Sequence, residues 1–312
     1  MDKLKILFMG TPDFSVNVLE GLIDNYDVIG VVTQPDKEVG RHKEIKFSPV
    51  KEVALKHNIP VYQPNRIKQE YDKLLTLDCD MIVTCAYGQI IPKALLDFPK
   101  YGCINVHASL LPKLRGGAPI HKAIIDNYAR TGVTIMYMVE KMDAGDIISQ
   151  VETEILPSDN LESLHDRLSI LGTKLLLETI PNIISGNINP IKQDESEVTY
   201  AWNITREEEH IDFNKNAIDI FNQIRGLSPH PGAYAMLDGN VVKIYASRIS
   251  DSFFSTLKNG EIGKIYKDGI GVSCKDKEII ITDIQFAGKK RMKVKDYLNG
   301  TDGNKLIGKI FE

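Results

Sequence analysis

Apolar residues in the first half of the chain come in short runs, and the runs are separated by segments with helical spacing. Residues 5–9 (KILFM), 28–33 (VIGVVT), 80–84 (DMIVT) and 103–107 (CINVH) read as strands. Such runs are too short for helices and suit the interior of a parallel sheet covered on both faces. Between the first two, Val18, Leu19, Leu22 and Ile23 recur on one helical face, and Asp13 after Pro12 reads as the N-cap. A second helix fits residues 49–57, a third begins at about Ala118, and residues 133–139 and 147–155 read as a later strand pair. Strand and helix alternating in this way imply βαβ units and a mostly parallel sheet. Leu161, Leu164, Leu168, Leu171, Leu175 and Leu176 then form the core stripe of a long helix, opened by Asp159 and Glu162 as a capping box and ending near Ser185 and Gly186.

Beyond that helix, residues 188–210 lose periodicity and turn polar, as a surface linker does. A helix over 217–225 leads into short strands punctuated by Gly239, Gly260, Gly263, Gly269 and Gly271, which predicts a small β-barrel. The length of 312 residues and 43% hydrophobic content suit two domains. No internal repeat or low-complexity segment is present. The first apolar run is too short to span a bilayer and no cleavage site follows it, so a cytoplasmic protein without a membrane partner is expected.

Composition adds little chemistry. Cys79, Cys85, Cys103 and Cys274 lack zinc-site spacing and read as reduced core residues, and the seven histidines form no HxxxH or HExxH pair. No metal is expected. The net charge of −4 is uneven: from residue 241 onward there are 14 Lys and Arg against 9 Asp and Glu, about +5, which leaves about −9 for the rest.

Strand 103–107 is the most informative segment. Alternation puts Ile104 and Val106 on one face and Asn105 and His107 on the other, at the C-terminal end of a strand where open α/β sheets hold ligands. A carboxamide can donate to a developing oxyanion and an imidazole can move a proton, a pairing suited to acyl transfer. Leu110, Leu111 and Pro112 make a stiff apolar segment against which a flat ring system could lie. Gly116 and Gly117 then allow a tight turn before the next helix. Asp143, beside Gly145, sits in a turn from which a carboxylate can reach a neighbouring imidazole, although an Asp in a turn more commonly serves the turn itself.

The stretch GCINVHASLLPKLRGGAPI, with Asn105, His107 and the downstream Asp143, resembles the active-site signature of the 10-formyltetrahydrofolate-dependent formyltransferases. The resemblance extends over nearly the whole chain, through KILFMGTPDFS, VVTQPDKEVGR, SPVK, AYGQIIP, DAGDI, IRGLSPHPGA and AGKKRMKVKDYLNG. The Asn-x-His-x-SLLP core is shared by the group, whereas the Gly40-Arg41 loop and the C-terminal segment are similar to its tRNA-acting branch. The fold implied is α/β, with a Rossmann-like catalytic domain at 1–187, a linker at 188–205 and an OB-like tRNA-binding domain at 206–312.

The same resemblance implies transfer of a formyl group from 10-formyltetrahydrofolate, as co-substrate, to the methionyl amine of initiator tRNA. Asn105, His107 and Asp143 are then the catalytic trio, Ser109, Leu110, Leu111 and Pro112 contact the tetrahydrofolate, and Arg41 meets the acceptor stem. No tightly bound cofactor is implied, and a monomer is expected. Lys43 adds to the cationic excess of the Arg41 loop, and Lys289, Lys290, Arg291 and Lys293 form a candidate phosphate track. The chain departs from the family pattern at His42, at Glu44 and at Arg206, where a lysine is usual. The alternatives are formyl transfer to a sugar-nucleotide amine or glycinamide ribonucleotide, a dinucleotide-dependent oxidoreductase, and a non-enzymatic RNA-binding protein. The second of these is weak because GTPDFS lacks GxGxxG.

Overall fold

The structure, a computed structural model, describes residues 3–39, 44–252, 254 and 256–312. By mutual contact they fall into two units. The first holds the chain up to Pro119 with Arg130–Glu154 and His165–Trp202; the second holds Ile120–Ala129, Ile155–Leu164 and Asn203–Glu312.

The first unit is built on strands β1 (Lys5–Gly10), β2 (Asp27–Val32), β5 (Val61–Tyr62), β6 (Met81–Cys85), β7 (Cys103–His107), β8 (Arg130–Tyr137) and β9 (Ile147–Glu154), in the order β5-β2-β1-β6-β7-β8-β9. Pairing is parallel from β5 through β7 and antiparallel at β7–β8 and β8–β9, so the sheet is mostly parallel. Ile6, Leu7, Phe8 and Met9 are fully buried, as a strand covered on both faces requires. Short strands β3 (Lys37–Val39) and β4 (Glu44–Lys46) make a separate antiparallel pair.

Helices α1 (Phe14–Asn25), α2 (Pro49–Lys56), α4 (Pro119–Ile125) and α5 (Leu161–Ile184) follow the expected order, and a short helix α3 (Lys93–Leu96), not among those expected, lies between α2 and α4. Val18, Leu19 and Leu22 of α1 are buried while Ile23 is half-buried, and Asp13 occupies the N-cap position without a side-chain cap bond. The cap of α5 differs from the Asp159–Glu162 box. Asn160 Oδ1 accepts from the Ser163 amide at 2.9 Å and Ser163 Oγ accepts from the Asn160 amide at 3.1 Å, while Asp159 accepts from the Leu156 amide one turn earlier. Leu164, Leu168 and Leu176 are fully buried. At Gly172 the helix runs so close to the sheet that a Cβ would stand 3.1 Å from Val106 and 3.2 Å from Val133, so α5 buttresses the rear face of β7.

The stretch 188–202, expected to be a surface linker, runs along the first unit. Ile191 bridges Ile147 and Tyr200 bridges Arg115. It lacks periodicity because most of its partners are loops and side chains, which impose no repeat.

In the second unit, α6 (Arg206–Glu209) and α7 (Ala217–Gly226) precede β10 (Ala233–Leu237), β11 (Asn240–Ser250), β12 (Ile262–Tyr266), β13 (Gly269–Ser273), β14 (Glu278–Phe286) and β15 (Met292–Lys293), with α8 (Val294–Gly300) after them. The strands form one antiparallel sheet ordered β10-β11-β14-β13-β12, with β15 on β14. Ile220 and Ile224 of α7 join Val242, Ile244, Ile262, Ile270, Ile281 and Ile284 in its core. The strand ladder is open rather than closed, and single bridges tie the C-terminal tail to its two edges, Phe311 to Leu237 and Ile310 to Glu261.

Candidate active site

Strand β7 sets the site by alternation. Ile104 and Val106 are buried on its rear face, while Asn105 is half-buried and His107 is 6% exposed on the front. In the parallel register Thr84 of β6 lies beside Asn105, and its hydroxyl stands 2.8 Å from Asn105 Oδ1. A hydroxyl donating there engages the amide oxygen, so the Nδ2 hydrogens remain to be offered elsewhere.

His107 Nε2 lies 3.0 Å from the Leu114 carbonyl. A carbonyl only accepts, so Nε2 carries the proton, and in the neutral ring Nδ1 is the acceptor. Nδ1 is 3.8 Å from Asp143 Oδ2, too long for a hydrogen bond. The same Oδ2 accepts from the Gly116 amide at 2.8 Å. The three expected residues are thus brought together, and the ring's hydrogen bond is to the Leu114 carbonyl.

The loop after β7 is braced from β8 and β9. Thr134 Oγ1 donates to Ser109 O at 2.7 Å and accepts from the Leu111 amide at 3.1 Å, and Gln150 Nε2 donates to Leu111 O at 2.9 Å. Ser109 is fully buried with its hydroxyl donating to Lys113 O, and Leu111 is buried as well. Of the four residues assigned to the folate, Leu110 and Pro112 are the half-exposed pair. Ser109 and Leu111 lie beneath them, buried in the loop.

The residues assigned to RNA are spread more widely. Arg41 and Lys43 lie outside the described residues, as does His42. Next to them β4 exposes Ile45 (69%), and Lys51 Nζ stands 4.0 Å over the Phe47 ring. In the second unit Lys289 and Lys290 are exposed in the turn between β14 and β15. Arg291 and Lys293 instead converge on Asp283, Arg291 through Nε and Nη2 at 3.0 and 2.9 Å and Lys293 at 2.9 Å. Their charge is therefore partly spent. Arg206 pairs with Glu209 and lies 3.7 Å over the Tyr234 ring.

Burial pushes the Cys85 and Cys274 thiols up to about 12 and that of Cys79 to about 11, which leaves little thiolate for nucleophilic chemistry. An open cleft of about 420 Å³ lined by Tyr62, Gln63, Glu70, Asp72 and Lys73 contains none of the trio. Among the described residues no group of three His, Cys, Asp or Glu side chains could hold a metal ion. The geometry offers one amide donor, one base and one counter-charge, a set able to stabilise a tetrahedral oxyanion while moving a proton from an attacking amine.

Sequence reasoning missed Thr84, the Leu114 carbonyl and the Gly116 amide. Thr84 left a trace, since it is the polar residue in the otherwise apolar MIVTC strand. The two backbone groups left none.

The family described as Formyl transferase matches residues 3–180, and that described as Formyl transferase, C-terminal domain, matches residues 203–302. The chain is 54% identical over 300 residues to a methionyl-tRNA formyltransferase of Bacillus subtilis (strain 168), covering 95% of this chain and 94% of that one. It is 53% identical to a protein of the same name from Staphylococcus aureus (strain MW2), covering 98% of each. Among solved structures it is similar to WlaRD, a sugar 3N-formyl transferase crystallised with dTDP and 5-N-formyl-THF (TM-score 0.67, 23% identity, 93% of this chain and 100% of that one). It is also similar to HypX from Aquifex aeolicus in complex with tetrahydrofolic acid (TM-score 0.66, 16% identity, 95% of this chain and 47% of that one).

Proposed function

Since the chain belongs to the formyl transferase family, and within it to the methionyl-tRNA formyltransferases, we propose that it transfers the formyl group of 10-formyltetrahydrofolate to the methionyl amine of initiator tRNA. The observation that carries the chemistry is the arrangement of Asn105, His107 and Asp143, with Asn105 Oδ1 occupied by Thr84 and His107 Nε2 by Leu114. The neutral amine attacks the formyl carbon and the carbonyl electron pair moves to oxygen, where the Asn105 Nδ2 donors meet it. His107 Nδ1 takes the amine proton, and the Asp143 carboxylate balances the imidazolium. Collapse of the tetrahedral adduct breaks the bond to N10 of the folate, which leaves with its electron pair and receives the proton from His107.

Ser109, Leu110, Leu111 and Pro112 are assigned to the folate, to which Leu110 and Pro112 offer an apolar edge. Arg41, Lys43, Lys289 and Lys290 are assigned to the RNA, with Arg291 and Lys293 as lesser contributors. The catalytic domain is assigned to residues 1–187, with 188–205 as the connecting stretch that also braces the Asp143 turn through Gln193, and RNA binding to 206–312, in a cytoplasmic monomer. The second unit is taken as an OB-like barrel, a reading supported by the tail that bridges both edges of its sheet.

The test is to incubate the protein with 10-formyltetrahydrofolate and charged initiator tRNA and to look for formylmethionine, with glycinamide ribonucleotide and an amino-sugar nucleotide as competing acceptors. Formylation of the methionyl amine well above both is expected. Preference for either small acceptor would refute the assignment of the acceptor.

A further inference from the structure

The turn that carries Asp143 is held from behind by side chains that the transfer scheme does not use. Asp143 has φ +48°, and Gly145 packs so tightly that a Cβ would stand 1.8 Å from the Tyr137 carbonyl oxygen. Two carbonyls of this turn are met by one side chain, for Gln193 Nε2 donates to Asp143 O at 2.8 Å and to Gly145 O at 2.7 Å. The two amide hydrogens are thereby consumed. Which way the amide faces is decided by Arg115, whose Nε and Nη2 donate to Gln193 Oε1 at 3.0 and 2.8 Å.

Arg115 is fully buried, and its Nη2 also donates to Glu195, which Lys141 pairs from the other side. Its chain neighbours are the two groups that define the site, the Leu114 carbonyl on His107 and the Gly116 amide on Asp143. The guanidinium therefore ties the loop that orients the imidazole to the turn that carries the carboxylate. Burying a guanidinium is costly, and an apolar pair of similar volume would serve stability as well. What a planar fork on a carboxamide adds is a fixed direction.

We infer that Gln193 is a positioning residue for Asp143, with Arg115 setting the direction of its amide; the inference rests on the formyl-transfer reading above. Gln193 is 5% exposed and its amide is used internally, so it has no group for either substrate. Its loss leaves two carbonyls without donors and releases the left-handed turn. The carboxylate then drifts from His107, and charge that develops during transfer goes unbalanced. Folate and acceptor binding in the ground state are untouched.

The test uses the full chain with 10-formyltetrahydrofolate and methionyl-tRNA, and measures kcat and both KM values for Gln193→Leu, Gln193→Glu, Asp143→Asn and the two doubles. Leu keeps the volume and loses the donors; Glu keeps an acceptor for Arg115 and offers the carbonyls no hydrogen. A displaced catalytic group costs on the order of 10²-fold, so each Gln193 variant is expected to lower kcat about 10- to 100-fold with both KM values within about threefold. In the Asp143→Asn background the same changes are expected to cost less than about threefold, because their route to the reaction is already cut. A kcat within about twofold of wild type for both variants, or a loss that multiplies undiminished in the Asp143→Asn background, overturns the inference. Cooperative melts are required first, and if Gln193→Leu lacks one the decision passes to Gln193→Glu, whose ion pair with Arg115 keeps that buried charge satisfied. A wild-type chain that formylates nothing defeats the parent reading; an active wild type with insensitive variants defeats this one alone.

Discussion

In the proposed scheme Asn105 stabilises an oxyanion only if its amide faces outward, and the Thr84 hydroxyl, which has Asn105 Oδ1 at 2.8 Å ahead of Met138 Sδ at 3.0 Å and the Ile104 carbonyl at 3.2 Å, is the contact that would set it so. Removing one oxyanion donor costs about 10²–10³ in rate, the loss expected for Asn105→Ala. Thr84→Val keeps the shape and frees the amide to rotate, so single-turnover transfer is expected to fall by about tenfold, between wild type and Asn105→Ala. A Thr84→Val rate equal to wild type would mean that another contact aims the amide. His107→Ala removes the base, and Asp143→Asn replaces a charge by a dipole that cannot balance an imidazolium. Both are expected to depress the chemical step while folate affinity, measured in parallel, holds.

In the β14–β15 element, charge is divided between structure and surface. Asp283 is 4% exposed at its side chain; burial raises its pKa, but the hydrogen bonds and charges of Arg291 and Lys293 outweigh that and hold it below the usual carboxylate range. With the folded value depressed, the stabilisation is complete above the unfolded carboxylate pKa and disappears as pH falls through the folded one. Asp283→Asn is expected to cost about 1.5–3 kcal/mol near neutral pH, the usual worth of charge-assisted hydrogen bonds, and the deficit should shrink in acid. Urea unfolding of the two proteins across pH checks this, and a deficit constant with pH would discount the ion pair. Lys289 and Lys290 have no ion pair among the described residues. Replacing both by Ala is expected to reduce the salt slope of tRNA binding by roughly 1.4–1.8, at 0.7–0.9 per phosphate contact. Replacing Arg291 and Lys293 is expected to do less. Equal effects of the two pairs would show that Asp283 does not compete with the RNA.

At the scale of the whole molecule the two units interleave along the chain. Arg225 Nη1 donates to the carbonyls of Leu156 and Asp159 at 3.0 and 2.9 Å, Asn222 pairs with Asn127 at 3.0 Å, and Lys122 pairs with Glu208. Segments 120–129 and 155–164 therefore find partners beyond residue 203. A chain ending at residue 187 loses those partners and Gln193 together. It is expected to melt at lower temperature and to lack transfer activity, whereas one ending at Trp202 regains the Asp143 turn but leaves Ile124 and Ile125 without the helix α7 that packs on them at Gly226. A 1–187 fragment with the melt and activity of the full chain would contradict both expectations. Division of labour is better tested by the lysine replacements in the full chain.

The sequence alone determined the main alternation of strand and helix in the first unit, without β3, β4, β5 and α3, and the front and rear faces of β7. Each of these depends on periodicity or residue type, and both can be read one segment at a time. Tertiary structure decided what aims and charges the trio: Thr84 across the β6–β7 register, the Leu114 carbonyl, the Gly116 amide, and Gln193, which reaches Asp143 from 50 residues away. It also decided that Arg291 and Lys293 spend their charge on Asp283, and that Asn160 with Ser163 caps α5 in place of Asp159 with Glu162. The physical reason is common to all of them. Burial imposes a repeat that a segment carries in its own sequence, but a hydrogen bond needs one donor and one acceptor at about 3 Å, and distant residues reach that spacing only after strands pair and loops close.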